Sequence, residues 1–124
     1  MLRDSDAVAT VAVKDLRTAA KFYEETLGLN RAGSEDDEAV VFESGDSRIN
    51  VYRSKFAGTN KATAVTWTVD DVDDVVRTLR AKGVKFEHYD LPETRREGDV
   101  HVAGDMKMAW FKDPDGNVLG VVNR

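Results

Sequence analysis

The sequence predicts an α+β fold built from two βαβββ modules in tandem. Three observations predict it: an internal repeat, apolar patterns that switch between strand and helix periods, and turn-forming residues between the segments. Asp15 and Asp71 occupy matching places in the repeat, so its period is 71 − 15 = 56 residues, and two periods nearly fill the 124-residue chain. We expect a single domain over residues 1–124, with modules at 1–55 and 61–124 and a linker at 54–61.

The first module begins with a strand and a helix. Residues 7–13 are rich in β-branched side chains, which favours a strand. Asp15 is placed to cap a helix, and Gly28 follows the last turn, where glycine is favoured. Apolar residues recur between them at helical spacing, and we expect Tyr23 to lie in the core: Leu16, Ala19, Ala20, Tyr23 and Leu27. Strands are predicted at 29–32, 39–43 and 48–53, separated by turn-prone residues at 33–37 and 44–46.

The second module repeats this order. Residues 63–69 predict a strand, and Asp70 and Asp71 precede a helix that ends at Gly83. Its apolar residues lie on one face, and its acidic start and basic end complement the helix dipole: Val72, Val75, Val76 and Leu79. Strands follow at 84–90, 106–112 and 117–122, the last two joined by a Pro-Asp-Gly turn. Residues 91–105 are predicted to be irregular, either a surface loop or a lid over a pocket.

The composition excludes several classes of function. Lys and Arg number 18 against 23 Asp and Glu, a net charge of −5, which argues against nucleic acid or an anionic membrane surface as a partner. The absence of cysteine excludes disulfides, zinc–thiolate sites, iron–sulfur clusters and cysteine nucleophiles. No apolar run reaches the ~18 residues of a membrane span, and the acidic N-terminus lacks the apolar core of a signal peptide. We therefore expect a cytoplasmic protein.

Short motifs spread along the whole chain resemble the glyoxalase/bleomycin-resistance/extradiol-dioxygenase (vicinal oxygen chelate) superfamily. They are Val13-Lys14-Asp15-Leu16, Phe22-Tyr23, Leu27-Gly28-Leu29, Val69-Asp70-Asp71-Val72 and, as the strongest, Phe111-Lys112-Asp113-Pro114-Asp115-Gly116-Asn117. The resemblance implies that each βαβββ sheet curls into a half-barrel around a pocket. It also implies that the protein forms a homodimer.

Enzymes of this superfamily hold a divalent metal with four side chains, which chelates two neighbouring substrate oxygens and acts as a Lewis acid. The resemblance places the four ligand positions at Val8, Asn50, Ala64 and Gly120. Three of these residues have no donor side chain, and Asn50 offers a neutral amide, whereas a tight site needs several imidazole, carboxylate or thiolate ligands. A shift of one residue brings no better donors. We expect no metal site of the family type and no other cofactor.

The two histidines offer another metal site only if they meet. His88 lies in the predicted strand 84–90 and His101 in the segment 91–105 predicted to be irregular. They could meet near Glu87 or Asp99 and bind a metal ion. The alternative, which we favour, is that each histidine is exposed or hydrogen-bonded.

Strand alternation separates an apolar face from a mildly polar face. Odd-numbered residues such as Val11, Ile49 and Trp67 suit packing under the helices, whereas even-numbered residues are small or polar and include the family's ligand positions. The even-numbered face is therefore the expected pocket lining, with six candidate ligand-binding residues: Thr10, Asn50, Tyr52, Thr66, Met108 and Trp110. The alternative is that these residues fill the sheet interior or a dimer interface.

Three functions fit the sequence. The first, which we favour, is a metal-free protein that binds a small organic molecule in a pocket of a homodimer, with no catalytic residues. The second is a metal-dependent lyase, isomerase or dioxygenase with a displaced site. The third is an interaction module with a collapsed cavity. Whether the protein is an enzyme stays open, because fold resemblance alone does not establish activity.

Overall fold

The computed structural model describes residues 1–32 and 38–124. The chain divides into two compact units, Met1–Thr59 and Asn60–Arg124. The division lies inside the predicted linker, and each unit combines helix with sheet. The α+β fold that the sequence predicts is confirmed.

Within residues 1–32 and 38–59, the first unit contains a 3₁₀ turn, one helix and four strands. After the 3₁₀ turn Leu2–Asp4 they are, in chain order, β1 (Ala9–Val13), α1 (Leu16–Lys21, continued by a π-helical turn over Phe22–Thr26), β2 (Asn30–Arg31), β3 (Ala39–Ser44) and β4 (Ser47–Arg53). The sheet order is β1-β4-β3-β2. Strand β1 runs parallel to β4, and the other pairs are antiparallel. The predicted turn at residues 33–37 lies outside the described residues.

Helix α1 begins and ends where its sequence predicts. The Asp15 carboxylate accepts hydrogen bonds from the Arg17 amide (3.0 Å) and from the amide and hydroxyl of Thr18. These bonds, that of the Thr18 hydroxyl foremost, lower the pKa of Asp15. Gly28 adopts the positive φ of +76° that lets the chain leave the helix. The predicted core residue Tyr23 is fully buried, so that expectation is confirmed.

The second unit contains one helix and six strands. They are β5 (Thr63–Val69), α2 (Val72–Ala81), β6 (Phe86–Glu87), β7 (Arg95–Glu97), β8 (Val100–Ala103), β9 (Met106–Lys112) and β10 (Val118–Asn123). The sheet order is β5-β10-β9-β8-β7, and β6 also pairs with β9. Strand β5 runs parallel to β10, and the remaining pairs are antiparallel.

The internal repeat is visible in the strand register. Asp71 caps α2 by accepting a hydrogen bond from the Asp74 amide (3.0 Å), as Asp15 caps α1. In each unit the first strand pairs in parallel with the last. Thr10 lies beside Asn50 in the first unit, and Thr66, 56 residues further on, lies beside Gly120 in the second (66 − 10 = 56). The first strands of the two units are thus one repeat period apart, whereas their partners on the last strands, Asn50 and Gly120, are 120 − 50 = 70 residues apart.

Two predictions for the second unit are wrong, and one cause explains both. Residues 91–105 are not irregular, because they contain the β7–β8 hairpin, whose strand β8 pairs with residues 106–108 of β9. That pairing leaves residues 109–112 of the same β9 edge for the preceding strand, and β6 pairs there with residues 110 and 111. The predicted strand 84–90 is therefore reduced to Phe86–Glu87.

The odd-numbered faces of β1 and β4 in the first unit, and of β9 and β10 in the second, carry much of the core, to which β3 and β8 add even-numbered residues such as Phe42 and Val102. In the first unit Val11, Val13 and Val51 are buried beneath Ala19 and Ala20 of α1. In the second unit the buried side chains of α2 and its sheet form the core: Val72, Val76, Leu79, Ala109, Phe111, Leu119 and Val121. The predicted assignment of faces is thus confirmed. In the part of the chain described, neither helix has the length and apolarity needed to cross a bilayer.

Candidate functional site

The first unit presents three of the candidate residues on one sheet face. Thr10 of β1 lies directly beside Asn50 of β4, and Tyr52 is two residues further along β4. Thr10 is exposed, Asn50 is half-buried, and Tyr52 is 37% exposed. Within residues 1–32 and 38–124, none of these three side chains forms a hydrogen bond, so each has a polar group for a ligand. The register brings the three together as the strand alternation predicts.

A cleft of about 520 Å³ lies at the start of β1 in the first unit. It contains Val8, one of the four family ligand positions, which is 47% exposed and precedes β1. The cleft also contains residues of the β3–β4 turn and carries charges of both signs: Asp6, Ala7, Asp46, Ser47 and Arg48. It offers a small molecule an open groove rather than an enclosed chamber.

The second unit presents the other three candidate residues on one face of its sheet. Thr66 of β5 lies beside Gly120 of β10, which lies beside Trp110 of β9. Met108 is two residues from Trp110 on the same face. Thr66 is exposed, and Met108 and Trp110 are half-buried. This row, from Thr66 across Gly120 to Trp110 with Met108 beside it, is called the Trp110 face below.

Gly120 allows the Trp110 indole to lie directly on the strand β10. A Cβ atom at Gly120 would lie 3.1 Å from Cδ1 and 3.2 Å from Nε1 of Trp110, closer than nearly all real Cβ contacts. The indole therefore occupies the space into which a side chain at this position would extend. Gly120 is the position at which the resemblance places the last metal ligand, and the Trp110 ring lies against it.

Tyr89 and His101 extend the Trp110 face, and the sequence did not identify either as part of the site. The His101 ring lies 4.9 Å from the Trp110 ring at 80°, and the Tyr89 ring lies 5.4 Å from Trp110 at 75°. His101 belongs to β8, with 0% of its surface exposed, so its placement in an irregular segment is wrong. The alternation of Val100, His101 and Val102 was the signal that could have placed it in a strand.

The surroundings of His101 favour its neutral form. Its Nε2 accepts a hydrogen bond of 3.0 Å from the Tyr89 amide, and its buried Nδ1 meets no described atom with good hydrogen-bond geometry. Burial is the main cause that lowers the pKa of His101, and the charges of His88 and Arg96 lower it further. Backbone interactions with Met108 and Tyr89 partly oppose this effect. A neutral imidazole therefore supports the Trp110 face.

His88 does not join His101 in a metal site. Its Nε2 lies 2.7 Å from Oδ1 of Asp99, and the other oxygen of Asp99 lies 3.4 Å from Nε of Arg80. Glu87, the other carboxylate considered, lies 3.5 Å from the ammonium of Lys112. Each histidine thus has a protein partner, which agrees with the favoured of the two interpretations.

The residues at the four family positions do not fit a divalent metal ion. Val8 and Ala64 present only aliphatic groups, Gly120 has no side chain, and Asn50 presents a neutral amide. Elsewhere in the described segments, no group of three or more His, Cys, Asp or Glu side chains is arranged to hold a metal ion.

Comparisons with known proteins agree with this fold. The family model of the Glyoxalase/Bleomycin resistance protein/Dioxygenase superfamily matches residues 6–121. The Virulence protein STM3117 of Salmonella typhimurium is 24% identical over 120 residues, which cover 90% of this chain and 78% of that protein.

Solved structures share the fold at low sequence identity. Lactoylglutathione lyase from Agrobacterium tumefaciens matches with a TM-score of 0.71 and 17% identity, covering 96% of this chain and 92% of that one. TnmS3, an antibiotic binding protein from Streptomyces sp. CB03234, matches with a TM-score of 0.66 and 22% identity, covering 95% and 93%. The family model covers almost the whole chain, and the chain belongs to the glyoxalase/bleomycin resistance/dioxygenase superfamily.

Proposed function

We propose that this protein binds a small, largely apolar and planar organic molecule on the Trp110 face, without the superfamily's divalent metal. The observation that carries the proposal is the closeness of the Trp110 indole to Gly120, where an added Cβ would lie 3.1 Å from the ring. Binding sites for small molecules combine apolar and aromatic walls with a few polar groups. The Trp110 face has this composition, with Met108 beside the indole and the Thr66 hydroxyl at its edge.

The first unit presents a separate set of candidate polar groups on its own sheet. Thr10, Asn50 and Tyr52 supply two hydroxyls and an amide that the described protein atoms leave free. The net charge of −5 favours a cationic or neutral ligand over an anionic one. TnmS3, which shares the fold, is an antibiotic binding protein, and this supports a ligand of antibiotic-like size.

Homodimerisation and a cytoplasmic location are further parts of the proposal. The superfamily's usual assembly supports the dimer, and the absence of cysteine supports a reducing compartment. Sedimentation equilibrium tests the assembly, because a mass of twice 13.8 kDa is expected and a monomer at all concentrations would contradict it.

A thermal-denaturation screen tests the binding proposal. Chelator-treated protein is heated with Zn²⁺, Ni²⁺, Mn²⁺, Fe²⁺ or Co²⁺, and separately with a library of small aromatic compounds. A ligand at about 100 times its dissociation constant stabilises the folded state by about 2.7 kcal/mol, which raises the midpoint of a domain of this size by several degrees. We expect shifts from aromatic compounds and none from the metals.

Matched tryptophan variants locate the binding. Trp110→Phe is expected to weaken the shift, and Trp67→Phe to leave it unchanged, because Trp67 pairs with Val121 and lies on the opposite face of the sheet. A shift produced by one metal and lost in His88→Ala or His101→Ala would contradict the proposal and support a metal-dependent enzyme with a displaced site.

A further inference from the structure

Three rings form a closed cluster at one end of the Trp110 face. Tyr89, His101 and Trp110 each contact the other two, with ring centroids 4.9 to 6.2 Å apart. Tyr89 follows the short strand β6 and belongs to no strand itself. It is 37% exposed, whereas His101 is completely buried behind it. His101 therefore lies between the sheet and the segment around Tyr89, which is not paired to any strand.

The hydrogen bonding of His101 fixes its tautomer. A backbone amide can only donate, so Nε2 of His101 must be the accepting nitrogen in its bond to Tyr89. In a neutral imidazole the proton then resides on Nδ1. Protonation of the ring would place a second donor at Nε2, facing the Tyr89 amide, and the bond would be lost.

We propose that His101 is a positioning residue of the Trp110 face: it anchors the Tyr89 main chain through Nε2 and thereby holds the Tyr89 ring against Trp110. The inference rests on the proposed function for its link to ligand binding. Its structural part, the anchoring of Tyr89 by a neutral His101, stands independently of any ligand.

The charged groups around His101 favour the neutral form. Arg96 of β7 pairs with His101 across the hairpin, and His88 precedes Tyr89. Strand β9 presents the uncharged Met108 opposite His101 and Trp110 beside it, while Glu87 of β6 is engaged with Lys112. Among residues 1–32 and 38–124, no carboxylate is hydrogen-bonded to the ring to hold a proton there. Because the pKa of His101 is lowered from its usual value of about 6.5, acidification past that lowered pKa is expected to release Tyr89 and weaken ligand binding.

Two substitutions separate positioning from simple packing. His101→Gln keeps a side-chain oxygen that can accept from the Tyr89 amide but does not titrate, whereas His101→Leu removes the acceptor. His88→Gln is the control, because it removes the other histidine and leaves the bond in place. Amide hydrogen exchange of Tyr89, measured by NMR, reports on the bond without any ligand, and the ¹⁵N shifts of the imidazole report the tautomer.

The expected results are specific to the anchoring role. At neutral pH, Tyr89 exchange accelerates roughly tenfold in His101→Leu, and protection is retained in His101→Gln and His88→Gln. On acidification, protection falls in the wild type and in His88→Gln but not in His101→Gln. Equal protection in all four proteins, or an Nε2-protonated ring, would overturn the inference.

Binding of the uncharged fluorophore N-phenyl-1-naphthylamine then tests the link to function. We expect its affinity to fall with acid in the wild type and to stay constant in His101→Gln. If the exchange results hold and the affinity does not follow them, Tyr89 is anchored as inferred but does not control binding. If no aromatic compound binds at all, the proposed function fails while the anchoring of Tyr89 is still judged by its exchange.

Discussion

Replacement of Gly120 by alanine tests the contact on which the account depends. The new Cβ would lie 3.1 Å from Trp110, so the half-buried indole must move by a few tenths of an ångström. Overpacking of this kind costs about 1–3 kcal/mol, whereas replacing a glycine of ordinary φ by alanine contributes about 0.4–1 kcal/mol through the unfolded chain. We expect Gly120→Ala to lower the free energy of unfolding by about 1 kcal/mol.

A double-mutant cycle isolates this contact. In a Trp110→Ala background the crowding is gone, and Gly120→Ala should stabilise the protein by about 0.5 kcal/mol, so the effect changes sign. The coupling energy of about 1.5 kcal/mol exceeds the deviation of about 0.3–0.5 kcal/mol expected for independent sites. Urea denaturation followed by far-UV circular dichroism measures all four free energies.

Trp67→Ala provides the control background for the cycle. Because Trp67 lies on the opposite face, Gly120→Ala should remain destabilising there. An equal effect of Gly120→Ala in the wild type and in the Trp110→Ala background would refute the reasoning, since the indole would then not fill the space above Gly120.

Two further predictions concern stability. Asp113→Ala should lower the unfolding free energy, measured by urea denaturation, by about 2–4 kcal/mol. The buried Asp113 carboxylate accepts hydrogen bonds from the amides of Asp115 and Asn117 and from the Asn117 side chain, and the substitution removes all three. A loss below about 1 kcal/mol would contradict this prediction. The lowered pKa of His101 means that below about pH 6.5 the unfolded chain binds a proton before the folded one, so stability falls as the pH decreases. His101→Gln lacks this contribution, and identical slopes of stability between pH 7 and 5 in the two proteins would contradict it.

The sequence correctly predicts the helices and strands that are marked by neighbouring residues alone, such as a capping aspartate or an alternating apolar pattern. The alternating strands Thr63–Val69 and Met106–Lys112 have the bounds that their residues predict, and both helices begin after the capping aspartates. The strand assigned to residues 84–90 failed for a reason that no local pattern contains. Its partner edge on β9 is occupied by β8, and only the folded sheet shows which strand pairs there.

The residues of the candidate site also fall into two groups, those that local patterns predict and those that depend on strand pairing. Strand alternation was sufficient to place Thr66, Met108 and Trp110 on one face, because residues two apart on a strand share a face. The sequence does not predict the places of Tyr89 and His101, because they reach that face through the pairing of β8 with β9. That pairing depends on the β7–β8 hairpin, which lies in the segment predicted to be irregular. The closeness of Gly120 to the indole likewise follows only from the register between β9 and β10.

The two tryptophan indoles provide the most direct measurement of the central claim. Trp110 lies on the proposed binding face and Trp67 on the opposite face of the same sheet, so their indole N–H resonances report on the two faces separately. Chelator-treated, ¹⁵N-labelled protein is titrated with a compound from the aromatic screen and, separately, with stoichiometric Mn²⁺. The account predicts that the compound shifts the Trp110 resonance alone and that Mn²⁺ broadens neither. Broadening of Trp110 by Mn²⁺, with no response to any organic compound, would contradict it.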